Sequence, residues 1–238
     1  MRHQALIAPI HALKGYHDNL FYVFRRYILP EIGEQSISAD KFGARFNRMQ
    51  SLCDLLEFTV IGGSTRGEWH FTETDFANVI LLPIVQPLRR YAQNEKEVSV
   101  HYTSHFSSMP ILFVCVDAMR RCLFNLIING IKYSSAKSNV MIELGTSKDC
   151  YEVHVVNRGI GVPNGEEEEI FERFRQGSNT DVVSAYGAGL GLFVARRMAQ
   201  IHGGNVILIS GKPEETRFAL RLPKTLSYGP PSINRKVQ

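Results

Sequence analysis

Long apolar runs are missing from this sequence. None reaches the ~18 residues a membrane-spanning helix needs, and the best candidate, Val79 to Val85, is short and contains Pro83. No signal peptide is present, so the chain as given is expected to be cytoplasmic, with no membrane contact of its own. Cysteine is scarce. Cys53, Cys115, Cys122 and Cys150 lie far apart without metal-ligand spacing, and three of them sit inside apolar runs, as reduced core residues do. Charge of either sign is not in large excess. A net charge of +4, dispersed along the chain, leaves no footprint for nucleic acid. Internal repeats are absent too. What is present is ordinary globular usage: 238 residues, 44% hydrophobic and 21% charged, enough for one or two domains with real cores.

The first thirty residues are helical by pattern. His3, Leu6, Ile10, Leu13, His17, Leu20, Phe24 and Tyr27 alternate spacings of three and four, a heptad seam interrupted by Pro9 and ended by Pro30 and Gly33. A second seam, Phe42, Phe46, Met49, Cys53 and Leu56, follows a cap at Ser36 or Ser38. Two seamed helices joined by a short loop make an antiparallel hairpin whose stripe is not buried alone. A symmetric dimer forming a four-helix bundle would bury it, and so would folding back onto the same chain.

Ile61-Gly-Gly-Ser-Thr-Arg-Gly67 is a linker by composition. Beyond it the pattern mixes strands and helices. Trp69 to Phe71 is a short strand candidate. Thr72 or Thr74 can cap a helix running to about Gln93, which Pro83 and Pro87 must bend or break. Val98 to Tyr102 alternates as a strand does. Ile111 to Val116 reads as a buried strand running into a helix N-cap at Asp117. Val140 to Gly145, Tyr151 to Asn157, Asn205 to Ile209 and Arg217 to Leu222 read as further strands. The fold expected is α+β: the hairpin, then an α/β sandwich of one mixed sheet with helices on one face. Residues after Pro223 form a polar tail.

Four stretches look chemical. On the helix Leu123-Phe-Asn-Leu-Ile-Ile-Asn-Gly-Ile-Lys-Tyr133, Asn125, Asn129 and Lys132 fall at i, i+4 and i+7 and share a face. Leu123, Ile127, Ile128 and Ile131 supply the apolar face opposite. Amide oxygens suit Mg²⁺, which takes few protein ligands and leaves the rest to water and phosphate, and a lysine neutralises phosphate. Taken alone, such a face also suits a solvated helix. Asn157-Arg-Gly-Ile-Gly161 follows a strand, and its glycines let the backbone come close to a flat ligand or simply make a turn. Ile170-Phe-Glu-Arg-Phe-Arg175 reads as a short amphipathic helix after an acidic run, with Phe171 and Phe174 as core. Gly187-Ala-Gly-Leu-Gly-Leu192 opens a helix ending near His202, where free N–H groups make an anion site.

In this order and at these distances, the four stretches resemble the ATP-binding domain of sensor histidine kinases, of the GHKL (Bergerat) type shared with gyrase, heat-shock chaperone and mismatch-repair ATPases. Asn125 to Tyr133 is similar to the N box, Asn157 to Gly161 to the G1 box, Phe171 to Phe174 to the F box, and Gly187 to Gly191 to the G2 box. The hairpin resembles the family's dimerisation and phosphoacceptor domain. The resemblance implies residues 1–66 as hairpin and linker, 67–226 as the ATP domain and 227–238 as a tail. It implies ATP and Mg²⁺, a homodimer and a response regulator receiver domain as partners. It implies a protein histidine kinase that passes its phosphoryl group to an aspartate. Asn125 and Asn129 would hold Mg²⁺ and phosphate oxygens, Lys132 would contact phosphate, and Tyr133 would line the pocket. Asn157, Gly159 and Gly161 would receive adenine. Residues 175–186, with Ser178, Asn179 and Ser184, would form a mobile lid. Phe174 would belong to the F box and Arg175 would reach the γ-phosphate. Gly187, Gly189, Leu190, Gly191 and Leu192 would wrap the phosphates.

Two positions depart from the family pattern. Asn157 stands where the family more often has Asp. Its carbonyl still accepts a hydrogen bond from the adenine amine, but without charge assistance, so weaker or less adenine-selective binding is expected. The phosphoacceptor motif His-Glu-Leu-Arg-Thr-Pro-Leu is matched by His3-Gln-Ala-Leu-Ile-Ala-Pro-Ile10. Aligning Pro9 puts Gln4 at the histidine position and His3 one residue early, rotated by about 100°. The acidic neighbour that would act as base is absent. Three readings follow: a kink before Pro9 brings His3 into register, His11 or His17 serves instead, or the chain is a nucleotide-binding scaffold without kinase activity.

Overall fold

The computed structural model of the chain describes residues 69–106, 110–180 and 189–224. The helical hairpin, His3, His11, His17, Ser184, Gly187 and the tail lie outside the described residues. From Trp69 to Thr180 and from Gly191 to Lys224 the described residues belong to one compact unit, of which Gly189 and Leu190 are not part.

That unit is a five-stranded mixed sheet with helices packed on one face. The sheet contains β2 (Ser99–Ser104), β4 (Asn139–Thr146), β5 (Cys150–Asn157), β6 (Asn205–Lys212) and β7 (Glu215–Pro223), in the order β2-β4-β5-β7-β6. Only β2 and β4 are parallel. The alternation read from the sequence decides which face is covered. Val140, Ile142 and Leu144 of β4, Val153 and Val155 of β5, and Phe218, Leu220 and Leu222 of β7 are buried. The opposite phase carries ion pairs, Arg217 to Glu143 at 2.6 Å and Arg221 to Glu152 at 3.0 Å. The expected sandwich is therefore present in the described unit.

Three helices cover the apolar face: α1 (Leu82–Lys96), α2 (Val116–Lys132) and α3 (Gly191–Ile201). Gly130 lets α2 settle onto the sheet, since a Cβ there would sit 3.3 Å from methyl carbons of both Val140 and Val155. Ile128 is only half-buried while Cys122, Leu126 and Gly130 are buried, so the buried face of α2 is rotated from the one its sequence pattern implied.

The start of the domain departs from expectation. The strand is not Trp69–Phe71 but β1 (Thr72–Asp75), which pairs antiparallel with β3 (Ile111–Val114) in a separate two-stranded sheet. The helix cap is neither Thr72 nor Thr74. Asp75 accepts from the Asn78 backbone N–H at 3.0 Å, and this bond holds its carboxyl below the ordinary range. Residues Phe76–Leu81 then wind as a π-helix before α1 proper. Pro83 explains why. It has no N–H to give to the carbonyl four residues back, at Val79, and its ring would crowd that carbonyl. Arg120 of α2 fills the place, donating from Nη2 at 2.7 Å and Nε at 3.2 Å. Pro87 stays inside α1 without ending it.

The strand–helix junction also shifts. α2 begins at Val116 with Cys115 as its N-cap residue, and no side chain caps it; Asp117 sits in the first turn, where a carboxylate favours the dipole. Ile170–Arg175 does not form a helix. A 3₁₀ turn covers Glu169–Phe171, and Phe174 then takes φ +63° and is 59% exposed. Phe171 is core, against Phe218 edge-on and beneath the Arg196 guanidinium at 3.4 Å. Phe174 is not.

Candidate functional site

The site is built around the last two turns of α2 and the loop that follows β5. β5 runs inward with Val153 and Val155, and Asn157 continues the phase, 4% exposed, with Val140 beside it on β4 and Thr216 beside it on β7. A carboxamide and a hydroxyl thus occupy positions that apolar residues fill further along the sheet. Asn157 makes no side-chain hydrogen bond within the described residues, whereas Thr216 donates to Lys212 O at 3.0 Å. Asn157 ends its strand directly before the glycines of the loop that follows.

The glycine loop after Asn157 is held almost entirely by backbone groups. Ile160 N–H donates to Tyr133 O at 3.2 Å, Ser135 N–H to Arg158 O at 2.9 Å, Gly159 N–H to Pro213 O at 2.9 Å, and Val162 N–H to Gly211 O at 2.8 Å. Ser134 bridges to Gly159. The glycines are obligatory. A Cβ on Gly159 would lie 1.8 Å from the Tyr133 carbonyl oxygen, and Gly161, at φ +73°, would bring one to 2.7 Å from Gly211 O. The loop is therefore sewn to the end of α2 on one side and to the β6–β7 turn on the other.

On α2 the two asparagines converge as their spacing predicts. A Cβ on Gly191, the first residue of α3, would stand 3.2 Å from Asn125 Oδ1, 3.4 Å from Asn129 Nδ2 and 3.6 Å from Asn129 Oδ1. Both carboxamides therefore lie against the start of α3, where unpaired N–H groups gather. Asn125 Nδ2 donates to Arg121 O at 2.9 Å, which turns its oxygen toward the shared space. Lys132 lies in the last turn of α2 with Nζ 3.3 Å from the Tyr133 hydroxyl. The donor set fits Mg²⁺ with phosphate: amide oxygens, a lysine and helix N–H groups. Among the described residues no group of three or more His, Cys, Asp or Glu forms a metal cage of its own.

Leu190 is buried and Leu192 half-buried, and Gly189 has φ +65°. Arg175 faces Glu169 and Glu172, each at 3.6 Å, on the surface. Ser178 and Asn179, expected in a loose lid, are docked. Ser178 N–H donates to Glu166 Oε2 at 2.9 Å, and Asn179 Nδ2 donates to Ile160 O at 3.0 Å and Gly161 O at 3.4 Å. Hydrogen bonds from Ser178 hold the Glu166 carboxyl below its ordinary range.

Sequence reading missed Thr216, Gly211 and Pro213. Thr216 was readable in principle, since it shares the phase of Phe218, Leu220 and Leu222 and is the polar residue in that row. It also missed His202. This imidazole is 2% exposed, donates from Nδ1 to Met198 O at 2.7 Å, and accepts at Nε2 from Cys115 N–H at 3.0 Å. Burial pushes its pKa down.

Known proteins resemble this chain in sequence and in fold. Residues 116–226 match the family of histidine kinase-, DNA gyrase B- and HSP90-like ATPases. The adaptive-response sensory kinase SasA of Synechococcus sp. (strain CC9902) is 30% identical over 184 residues, covering 75% of this chain and 46% of the relative. The sensor-type histidine kinase PrrB of Mycobacterium tuberculosis (strain ATCC 25618 / H37Rv) is 36% identical over 105 residues, 44% of this chain and 23% of PrrB. The chain thus spans less than half the length of these two relatives. In fold it is similar to full-length ShkA in complex with AMPPNP, at a TM-score of 0.64 and 20% identity over 93% of this chain and 44% of ShkA. It is also similar to histidine kinase ThkA in complex with the response regulator TrrA, at 0.58 and 16% identity over 94% of this chain and 61% of that one. No helix among the described residues is long and apolar enough to cross a membrane. Residues 116–226 thus match an ATPase domain of the histidine kinase-, DNA gyrase B- and HSP90-like type, and over three quarters of its length the chain is similar to a sensory kinase.

Proposed function

We propose that the chain binds Mg-ATP in this site, transfers the γ-phosphoryl group to a histidine in a dimeric helical hairpin, and passes it to an aspartate of a response regulator receiver domain. The observation that carries the reading is the convergence of Asn125 and Asn129 on the first residue of α3, beside a glycine loop that a Cβ would close. Residues 1–66 are assigned to the hairpin and linker, 67–226 to the ATP domain and 227–238 to a tail. The partner is supported by the likeness in fold to ThkA, which was solved in complex with the response regulator TrrA. We place the chain in the cytoplasm, as the cytosolic part of a larger sensor.

The chemistry asked of the protein is positioning and charge neutralisation. Asn157 accepts from the adenine amine at the floor of the loop, with Gly159 and Gly161 giving the base room. Lys132 offsets phosphate charge, and N–H groups at the start of α3 donate to phosphate oxygens. Asn125 and Asn129 would hold Mg²⁺, which would supply charge neutralisation to the phosphates. A neutral imidazole nitrogen, with His3 as first candidate, attacks phosphorus in line as the bond to the bridging oxygen breaks and ADP leaves.

The test is incubation with Mg-ATP, with phosphate mapped by mass spectrometry under conditions that preserve phosphohistidine. Phosphate is expected on His3, and Asn129→Ala is expected to lower the rate by at least tenfold, as removal of a transition-state charge stabiliser does. Phosphate on His11 or His17 moves the acceptor and keeps the kinase. Nucleotide binding without any phosphate makes the chain a scaffold instead. Full Mg-ATP binding and phosphorylation in Asn129→Ala would sink the site assignment.

A further inference from the structure

Among the described residues, Asn179 joins the segment after the acidic run to the glycine loop by a side-chain hydrogen bond. Its Nδ2 lies 3.0 Å from Ile160 O and 3.4 Å from Gly161 O. Both facing groups are carbonyls, so the atom toward them is the amide nitrogen and the contact is a donation. Its Oδ1 is buried without a hydrogen-bond partner. The segment around it is prepared for this pose. Ser178 N–H is anchored on Glu166 Oε2 at 2.9 Å, and Thr180 donates from its hydroxyl to Gly177 O at 2.7 Å and from its N–H at 3.0 Å. Gly177 leaves room for this pose, since a Cβ there would stand 2.9 Å from Asn179 Oδ1 and make the carboxamide shift.

The other bonds of the loop come from main chain that any sequence supplies. Asn179 caps the carbonyls of Ile160 and of Gly161, the latter held at φ +73°. Leaving one carbonyl oxygen of Asn179 buried and unpaired costs free energy, and close packing against Gly177 means that the pose is not an accident of a free rotamer.

We propose that Asn179 is a positioning residue for nucleotide binding: it clasps the Gln176–Thr180 turn to the carbonyls of Ile160 and Gly161 and so holds the glycine loop in its open, ligand-ready form. The proposal rests on the ATP-site reading for its functional half. Its structural half, the clasp, stands without nucleotide. Asn179 touches neither base nor phosphate in this account. It acts through the two carbonyls.

The experiment compares wild type, Asn179→Ala and Asn179→Asp. Hydrogen exchange is measured without ligand, and affinity for a fluorescent ATP analogue is measured with Mg²⁺. Asp has the shape of Asn but turns the donor into an anion facing two carbonyls and standing near Glu166. If donation matters, affinity ranks Asn above Ala above Asp, with Ala about tenfold weaker, the size of one lost hydrogen bond. If Asn179 only fills space, the isosteric Asp outranks Ala, which overturns the proposal. Exchange of the amides from Gly159 to Val162 rises at least several-fold in both variants while β4 and β5 stay protected. Unchanged exchange there also overturns it, whatever the affinities. A wild-type chain that binds no analogue removes the ATP-site reading and the functional half with it, and the exchange data then decide the clasp alone.

Discussion

The two ends of α2 are fixed by different kinds of group. At the C-terminal end, which carries Asn129, Lys132 and Tyr133, the chain is tied to the glycine loop by main-chain bonds: Ile160 to Tyr133, Ser135 to Arg158, and the Ser134–Gly159 bridge. At the N-terminal end no side chain caps the helix, and the backbone N–H of Cys115 is met by the imidazole of His202, from beyond the end of α3. Main-chain groups neither titrate nor mutate. The end that carries the candidate site residues is therefore held by bonds insensitive to pH and to most substitutions, and its weak points are the glycines that let the strands of backbone touch. The distant end depends on one titratable side chain.

The comparison breaks most severely at Gly159. An alanine there puts a methyl carbon against the Tyr133 carbonyl, and the only relief is to part the loop from α2. Gly159→Ala is expected to cost at least ~3 kcal/mol, in the range of severe overpacking. Chemical denaturation measures this, and nucleotide affinity should fall with it. A fully stable variant would show that the loop is not sewn to the helix as described.

The opposite end is tested through His202. His202→Ala leaves the Cys115 N–H buried and unpaired and removes a ring packed on Phe71 at 5.0 Å. A loss of about 2 kcal/mol is expected. The pH dependence has a definite sign. Burial lowers the folded-state pKa below the ordinary 6.5, so the unfolded chain binds the proton more readily. The contribution of His202 is fully present above pH ~6.5 and is lost as pH falls through the lowered folded pKa. Unfolding curves from pH 7.5 to 5 should therefore converge for wild type and His202→Ala as pH falls. A constant gap would mean that the imidazole does not accept from Cys115.

The smallest effect is expected at Phe174, which belongs to neither end. A bulky residue at φ +63° is strained, and its exposed ring returns little. Phe174→Gly should stabilise the domain by up to ~1 kcal/mol. Thermal unfolding checks this, and a clear loss of stability would give the ring a packing role that its exposure argues against.

Much of the site was legible because its chemistry is local in sequence. Asn125 and Asn129 share a face through helical spacing alone, and Asn157, Gly159 and Gly161 follow a strand whose alternation is plain. The strands β4 to β7 could be read for the same reason. What could not be read depends on partners far along the chain. His202 meets a backbone group 87 positions away, and Asn179 one 19 positions away. Neither residue carries a local signal of its role. Phe174 was read as core because Phe-x-x-Phe fits a helix, but the backbone turns after Phe171, so only Phe171 goes inward. β1 was misplaced because the threonines that look like caps are strand residues, and the cap is Asp75 beyond them.

Arg120 and Pro83 are partners through a carbonyl that belongs to neither. The guanidinium binds a carbonyl, that of Val79, that is available because the proline supplies no donor to it. Two helices are joined by what one of them omits. Such a pair is epistatic: alanine in place of Pro83 restores a competing N–H, after which Arg120 contributes little, and loss of Arg120 leaves the proline as a plain defect. Removing both should cost less than the two losses added, by about 1 kcal/mol in a double-mutant cycle. Strict additivity would mean that the two residues occupy the same turn independently.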